Sequence, residues 1–104
     1  MLAGGAGPVQ KANDDVKAVC NELKAEILQK AEKDAVEIFE AVSYRSQLVA
    51  GTNLFVKIKV NSNGECIHAR IFQPLPCNIE DGGKTAELHS VQKDKQMADE
   101  VAYF

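Results

Sequence analysis

No stretch of this sequence approaches the roughly 20 consecutive apolar residues that a membrane-spanning helix needs, so an integral helical membrane protein is excluded. Met1-Leu-Ala-Gly4 carries no basic segment followed by an apolar one, so no secretory signal is expected. An excess of positive charge is missing as well. The net charge is -3 with both signs interspersed, which argues against nucleic acid or an anionic membrane as the main partner. Cysteine is scarce and odd in number: Cys20, Cys66 and Cys77. No Cys-x-x-Cys spacing occurs, and His68 and His89 complete no zinc signature. Free thiols in a reducing compartment are therefore expected, the cytoplasm with the nucleus also allowed, and no metal or cofactor is expected. Internal repeats and low-complexity tracts are absent too. What remains is a 104-residue chain, 45% hydrophobic, which suits one domain over 1–104 with a real core.

Periodicity supplies the elements. Residues 1–12 contain Gly4, Gly5, Gly7 and Pro8, with no helix or strand preference, and read as a flexible arm. Asn13 or Asp14 can cap a helix, and Asp14 and Asp15 suit its positive end. Val16, Val19, Cys20, Leu23, Ile27 and Ala31 recur at spacings of three and four, one apolar stripe on a helix of about five turns. Cys20 lies in that stripe and reads as core. Val36, Ile38, Val42 and Tyr44 share one parity while Phe39 and Ala41 take the other, which fits a strand with a bulge near 39–40. Leu54, Val56, Ile58 and Val60 alternate with Phe55, Lys57 and Lys59, a half-buried strand. Asn61-Ser-Asn-Gly64 is a polar turn. Ile67, Ala69 and Ile71 alternate with His68, Arg70 and Phe72, and both histidines read as strand-surface residues. Pro74 and Pro76 stop that strand. A polar loop over 78–84 precedes a last strand at Ala86–Val91, with Leu88 inward, and a charged tail follows. The expected fold is α+β: one long helix across an antiparallel sheet of four or five strands.

One turn does not look like a turn. Gln47-Leu48-Val49-Ala50-Gly51 sits where a hairpin must reverse, yet it is apolar, whereas hairpin tips favour Asn, Asp and Gly. Either Leu48 and Val49 continue a buried strand and the chain turns elsewhere, or the tip is made to be buried in a partner. Connectivity adds a second tip. Turns alternate between the ends of an antiparallel sheet, so 47–51 and 75–77 project from the same end, separated by the turn at 61–64. Leu48, Val49, Leu75 and Pro76 would then form a narrow apolar wedge. No cysteine stands in a motif-bearing context, so an enzyme is not expected.

The same segments resemble a known family. Gln-x-Val-x-Gly between two strands is similar to the first inhibitory hairpin of the cystatins, protein inhibitors of papain-like cysteine proteases. Ala41–Asn53 resembles the intracellular stefin branch, as do Met1-Leu-Ala-Gly4, Phe72-Gln-Pro-Leu-Pro76 and Asp99–Phe104. The resemblance implies a cystatin-like fold and reversible, tight-binding blockade of the active-site cleft of cathepsin-type proteases. It implies protease-binding residues Gly4, Gln47, Leu48, Val49, Ala50, Gly51, Leu75 and Pro76. It further implies a cytoplasmic monomer able to form a domain-swapped dimer, while Cys77 beside the second tip suggests a disulfide-linked one. The alternative is a non-inhibitory cystatin-fold protein that acts by self-association or through another partner. Pro74 and the lengthened 78–84 loop depart from the stefin pattern.

Overall fold

The computed structural model describes residues 7–33, 36–49, 51–74 and 86–101. A short strand β1 (Gln10–Lys11) leads into helices α1 (Asp14–Glu22) and α2 (Lys24–Lys30). Strands β2 (Glu40–Val49), β3 (Gly51–Lys59), β4 (Glu65–Pro74) and β5 (Glu87–Gln96) follow. All five strands form one antiparallel sheet in the order β1-β2-β3-β4-β5.

Asn13 is the cap. Its side-chain oxygen accepts from the Val16 N–H at 2.9 Å, and its amide donates to the Tyr44 hydroxyl at 3.2 Å, which ties the helix start to β2. The single long helix expected from the stripe is divided at Leu23 (φ -97°, ψ 8°). The break is local. Leu23 N–H still donates to the Val19 carbonyl at 3.1 Å, and Ile27 N–H to the Leu23 carbonyl at 2.9 Å. The stripe therefore stays on one face, and Val16, Val19, Cys20, Leu23, Ile27 and Ala31 are all buried. Burial pushes the Cys20 thiol up to about 12, the state of an inert core residue.

The ladder explains what the stripe packs on. Tyr44, Val56, Ala69 and Val91 lie side by side across four strands, and Leu54, Ile71 and Leu88 across three. With Ala41, Ile58 and Ile67 they form the helix-facing side of the core. The bulge falls at Val42, between the Ala41↔Ile58 and Ser43↔Lys57 pairs, three residues later than the parity break suggested.

Four expectations are corrected. Gln10–Lys11 form a strand on the edge of β2 where none was expected, and Ala12 N–H donates to the carbonyl of the bulged Val42 at 3.0 Å. The last strand runs on to Gln96 through a charged segment, since an edge strand keeps solvent on its outer side. Asp94, at φ 60°, sits in the bulge that lets it do so. His68 is not a surface residue: it is 1% exposed. The strand read as half-buried is buried on both faces, because the segment 97–101 folds back over the far side. Phe55, Cys66, His68 and Val101 are buried there, and Lys57 Nζ donates to the Met97 carbonyl at 2.6 Å. Burial, then the cations of Lys57 and Lys95, push the His68 pKa down to about 4, with Asp99 opposing.

Candidate functional site

The site begins with register. Beyond the bulge, from Ser43↔Lys57 onward, β2 and β3 pair without interruption up to the tip, Gln47 facing Asn53, Leu48 facing Thr52 and Val49 facing Gly51. The turn is therefore as tight as a hairpin allows, and the reading in which it lies elsewhere is set aside. Leu48 is 79% exposed and Val49 46% exposed, the former the most exposed large hydrophobic residue among the described residues. Two aliphatic side chains standing in water cost solubility and contribute nothing to the fold.

Beneath them the hairpin is braced. Gln47 is 6% exposed and Asn53 is 5% exposed, and the Asn53 amide donates to Gln47 Oε1 at 2.8 Å. A buried side-chain hydrogen bond between directly paired residues fixes the register, since a slip by one residue would bury an unpaired amide. Gln47 thus supports the tip from below, while Leu48 and Val49 form its exposed surface.

Gly51 does the rest. Its φ is +132°, and a Cβ there would lie 2.6 Å from the Gln73 carbonyl and 2.7 Å from the Phe72 ring. Phe72 leans over Gly51 while stacking on His89, ring centroids 5.6 Å apart. Only glycine allows that approach. The unusual backbone conformation falls on Gly51, and Val49 is not among the described residues with positive φ.

The same edge gathers other parts. Gly51 pairs with Pro74, so β4 ends beside the first tip, as connectivity required. Gly7 N–H donates to the Ser46 carbonyl at 2.8 Å, which brings the amino-terminal segment to this end along β2. Gly4, Ala50, Leu75 and Pro76 lie outside the described residues, as does Cys77. The contribution of Asn53 went unnoticed in the sequence. Counting outward from a turn centred between Val49 and Gly51 pairs it with Gln47, and that register was the signal available.

Among the described residues, no group of His, Cys, Asp or Glu is arranged to hold a metal ion. None of the described helices is long and apolar enough to cross a membrane. A helical layer on an antiparallel sheet, with a braced apolar tip exposed at one end, defines an α+β class of fold. Comparison with known proteins gives that class a family. Residues 4–98 match the Cystatin domain. Cystatin-B of Mus musculus is 36% identical over 104 residues, the full length of both chains. Leukocyte cysteine proteinase inhibitor 1 of Sus scrofa is 40% identical over 104 residues, all of this chain and 95% of that one. Stefin-1 of Mus musculus is 36% identical, again over the full length of both. The chain belongs to the cystatin family and, within it, to the stefin branch.

Proposed function

We propose that this protein is a reversible, tight-binding inhibitor of papain-like cysteine proteases, cathepsins among them, and that it works by filling their active-site cleft. The observation that carries this reading is the exposed Leu48–Val49 pair on a hairpin locked by Gln47, Asn53 and Gly51. The printed name of the Sus scrofa relative, a cysteine proteinase inhibitor, points the same way.

The mechanism needs no chemistry from the inhibitor and no cofactor. Leu48, Val49 and Ala50 enter the cleft at its centre, Leu75 and Pro76 flank them, and the arm at Gly4 covers the other side. Each fully buried large aliphatic side chain contributes about 1.5–3 kcal/mol. The bracing spares the entropy of ordering a loop on binding, so more of that gain remains as affinity. No peptide bond is presented to the catalytic thiolate, and the enzyme is occluded without turnover.

The test is a titration of sub-micromolar papain. Activity should fall stoichiometrically with added protein and return on dilution or competition, with serine and metalloproteases unaffected. Full residual papain activity under excess protein would refute the proposal.

The working form is a cytoplasmic monomer. Two dimers are accessible to it. Oxidation through Cys77 would give a reducible dimer, which a Cys77→Ser variant should abolish on non-reducing gels. Straightening the 47–51 turn would merge β2 and β3 into one long strand and exchange the helices and β2 between two copies. That swapped dimer should lack inhibition, since its first tip no longer exists. A heat-induced, non-reducible dimer that inhibits as well as the monomer would contradict this account of the tip.

A further inference from the structure

Arg45 stands on β2, on the far face of the sheet opposite Phe55, two residues before the buried Gln47. Its guanidinium reaches two segments far apart in sequence. Nη1 donates to the Gly7 carbonyl at 3.5 Å, and Nη2 is paired with the Glu100 carboxylate. Gly7 is thereby held at both ends of its peptide, since its N–H donates to the Ser46 carbonyl at 2.8 Å. The Gly7 contact is long, and its strength comes from the charge on the donor. The Glu100 side chain is exposed, but the backbone beside it is held. Val101, next to Glu100, is 1% exposed; Asp99 N–H donates to the Gln96 carbonyl at 3.0 Å and Asp99 Oδ2 accepts from the Gln96 N–H at 2.8 Å.

We infer that Arg45 is a positioning residue for protease binding, one that fastens Gly7, at the root of the amino-terminal arm, to the segment 97–101. This rests on the inhibitory reading above. The reach of the chain gives the size of the effect. Three residues separate Gly4 from Gly7, a span of at most about 10 Å when extended. Where loss of the Arg45 contact also lets the Gly7–Ser46 bond open, the chain is next held at Gln10 in β1, and the length from Gly4 to its first fixed point doubles. Effective concentration falls roughly as the −3/2 power of length, so the arm would find its place in the cleft about threefold less readily. That loss should appear in the off-rate, because the arm engages an enzyme already held by the hairpins.

The experiment is a double-mutant cycle on the full chain. Arg45→Ala should speed dissociation from papain about threefold in the otherwise unchanged protein. In a Gly4→Trp background, where the arm's own contact is already spoiled, Arg45→Ala should change nothing further. Equal acceleration in both backgrounds would place Arg45 in the hairpin's support and overturn the inference, as would no acceleration in either. A second readout needs no enzyme. The Gly7 amide of the free protein should exchange faster in Arg45→Ala and in Glu100→Gln, with the core amides of β3 unchanged. Unchanged Gly7 exchange would also overturn it. Should the unaltered protein fail to inhibit papain while Gly7 exchange responds as stated, the inhibitory reading falls and the tether stands.

Discussion

The sheet carries two described reversals at opposite ends, and they solve different problems. At one end Asn61-Ser-Asn-Gly64 turns the chain between β3 and β4 with its own polar groups. Gly64 N–H donates to the Asn61 carbonyl at 3.2 Å, and Asn63 Oδ1 accepts from the Glu65 N–H at 2.9 Å. Gly64 has φ +96°, but a Cβ there would meet only Met97 Cγ at 3.7 Å. At the other end stands the 47–51 tip. Its surface is Leu48 and Val49, and its rigidity comes from a buried amide pair and a glycine pressed under Phe72. A turn that only reverses the chain is satisfied by polar groups at the surface, here its own and the Glu37 carboxylate, which accepts from the Ser62 N–H at 3.2 Å. A turn built for a partner leaves its apolar surface in water and takes its order from the layer below.

Substituting the two glycines should expose that difference most strongly. Gly51→Ala meets a carbonyl oxygen and an aromatic ring at a φ that disfavours any side chain, and should cost about 3–4 kcal/mol. Gly64→Ala meets only an ordinary van der Waals contact with Met97 Cγ and should cost only the backbone term, about 1–2 kcal/mol. Denaturant melts of both variants check this; equal losses would mean that the Phe72 packing carries no weight.

Acid should separate the two ends by a somewhat smaller amount. His68 faces Lys57 in the half of the sheet nearer the polar turn. Its pKa is pushed down from 6.5 to about 4. The folded state therefore holds it neutral, and the stability it contributes is fully present above pH 6.5. As pH falls from 6.5 through about 4, the unfolded chain takes up the proton first and that stability is lost, about 3 kcal/mol. The amide pair under the tip has no proton to gain. A His68→Gln variant should flatten the melting temperature between pH 7 and 4, and a slope identical to that of the unaltered protein would assign the acid sensitivity elsewhere.

The brace itself should show a smaller effect on stability. Asn53→Ala leaves the buried Gln47 amide without its partner and should cost about 1–3 kcal/mol, with weaker papain inhibition alongside. Asn63→Ala, at the polar turn, removes a solvent-exposed hydrogen bond and should cost under about 1 kcal/mol with inhibition unchanged. Reversed effects on inhibition would break the comparison.

These two turns also mark how far the sequence could be read. The helix stripe, the alternation of β3 and β4 and the apolar tip follow from local pattern, because period and parity depend on near neighbours. Sequence separation hid the rest. His68 and Phe55 looked solvent-facing because the segment that covers them, 97–101, joins them from the far end of the chain and reads as a charged tail. β1 was hidden by the Gly/Pro-rich arm around it, and its partner is the edge of β2. At the site, Leu48 and Val49 stood out as apolar residues in a turn. Gln47 stood out only through the family resemblance and Asn53 not at all, because a buried amide pair is visible only once the register is known.

The measurement that bears most directly on the two-turn account is papain inhibition by a matched pair of charge variants. Val49→Asp places a carboxylate on the apolar tip, and Ser62→Asp places one on the polar turn at the other end. Both positions lie at the surface and should leave the melting temperature within a few degrees of the unaltered protein. Val49→Asp should weaken inhibition by about a hundredfold, the cost of withdrawing one aliphatic side chain and burying a charge, while Ser62→Asp should leave it unchanged. Equal inhibition by the two variants would contradict the assignment of the 47–51 tip as the surface that enters the protease.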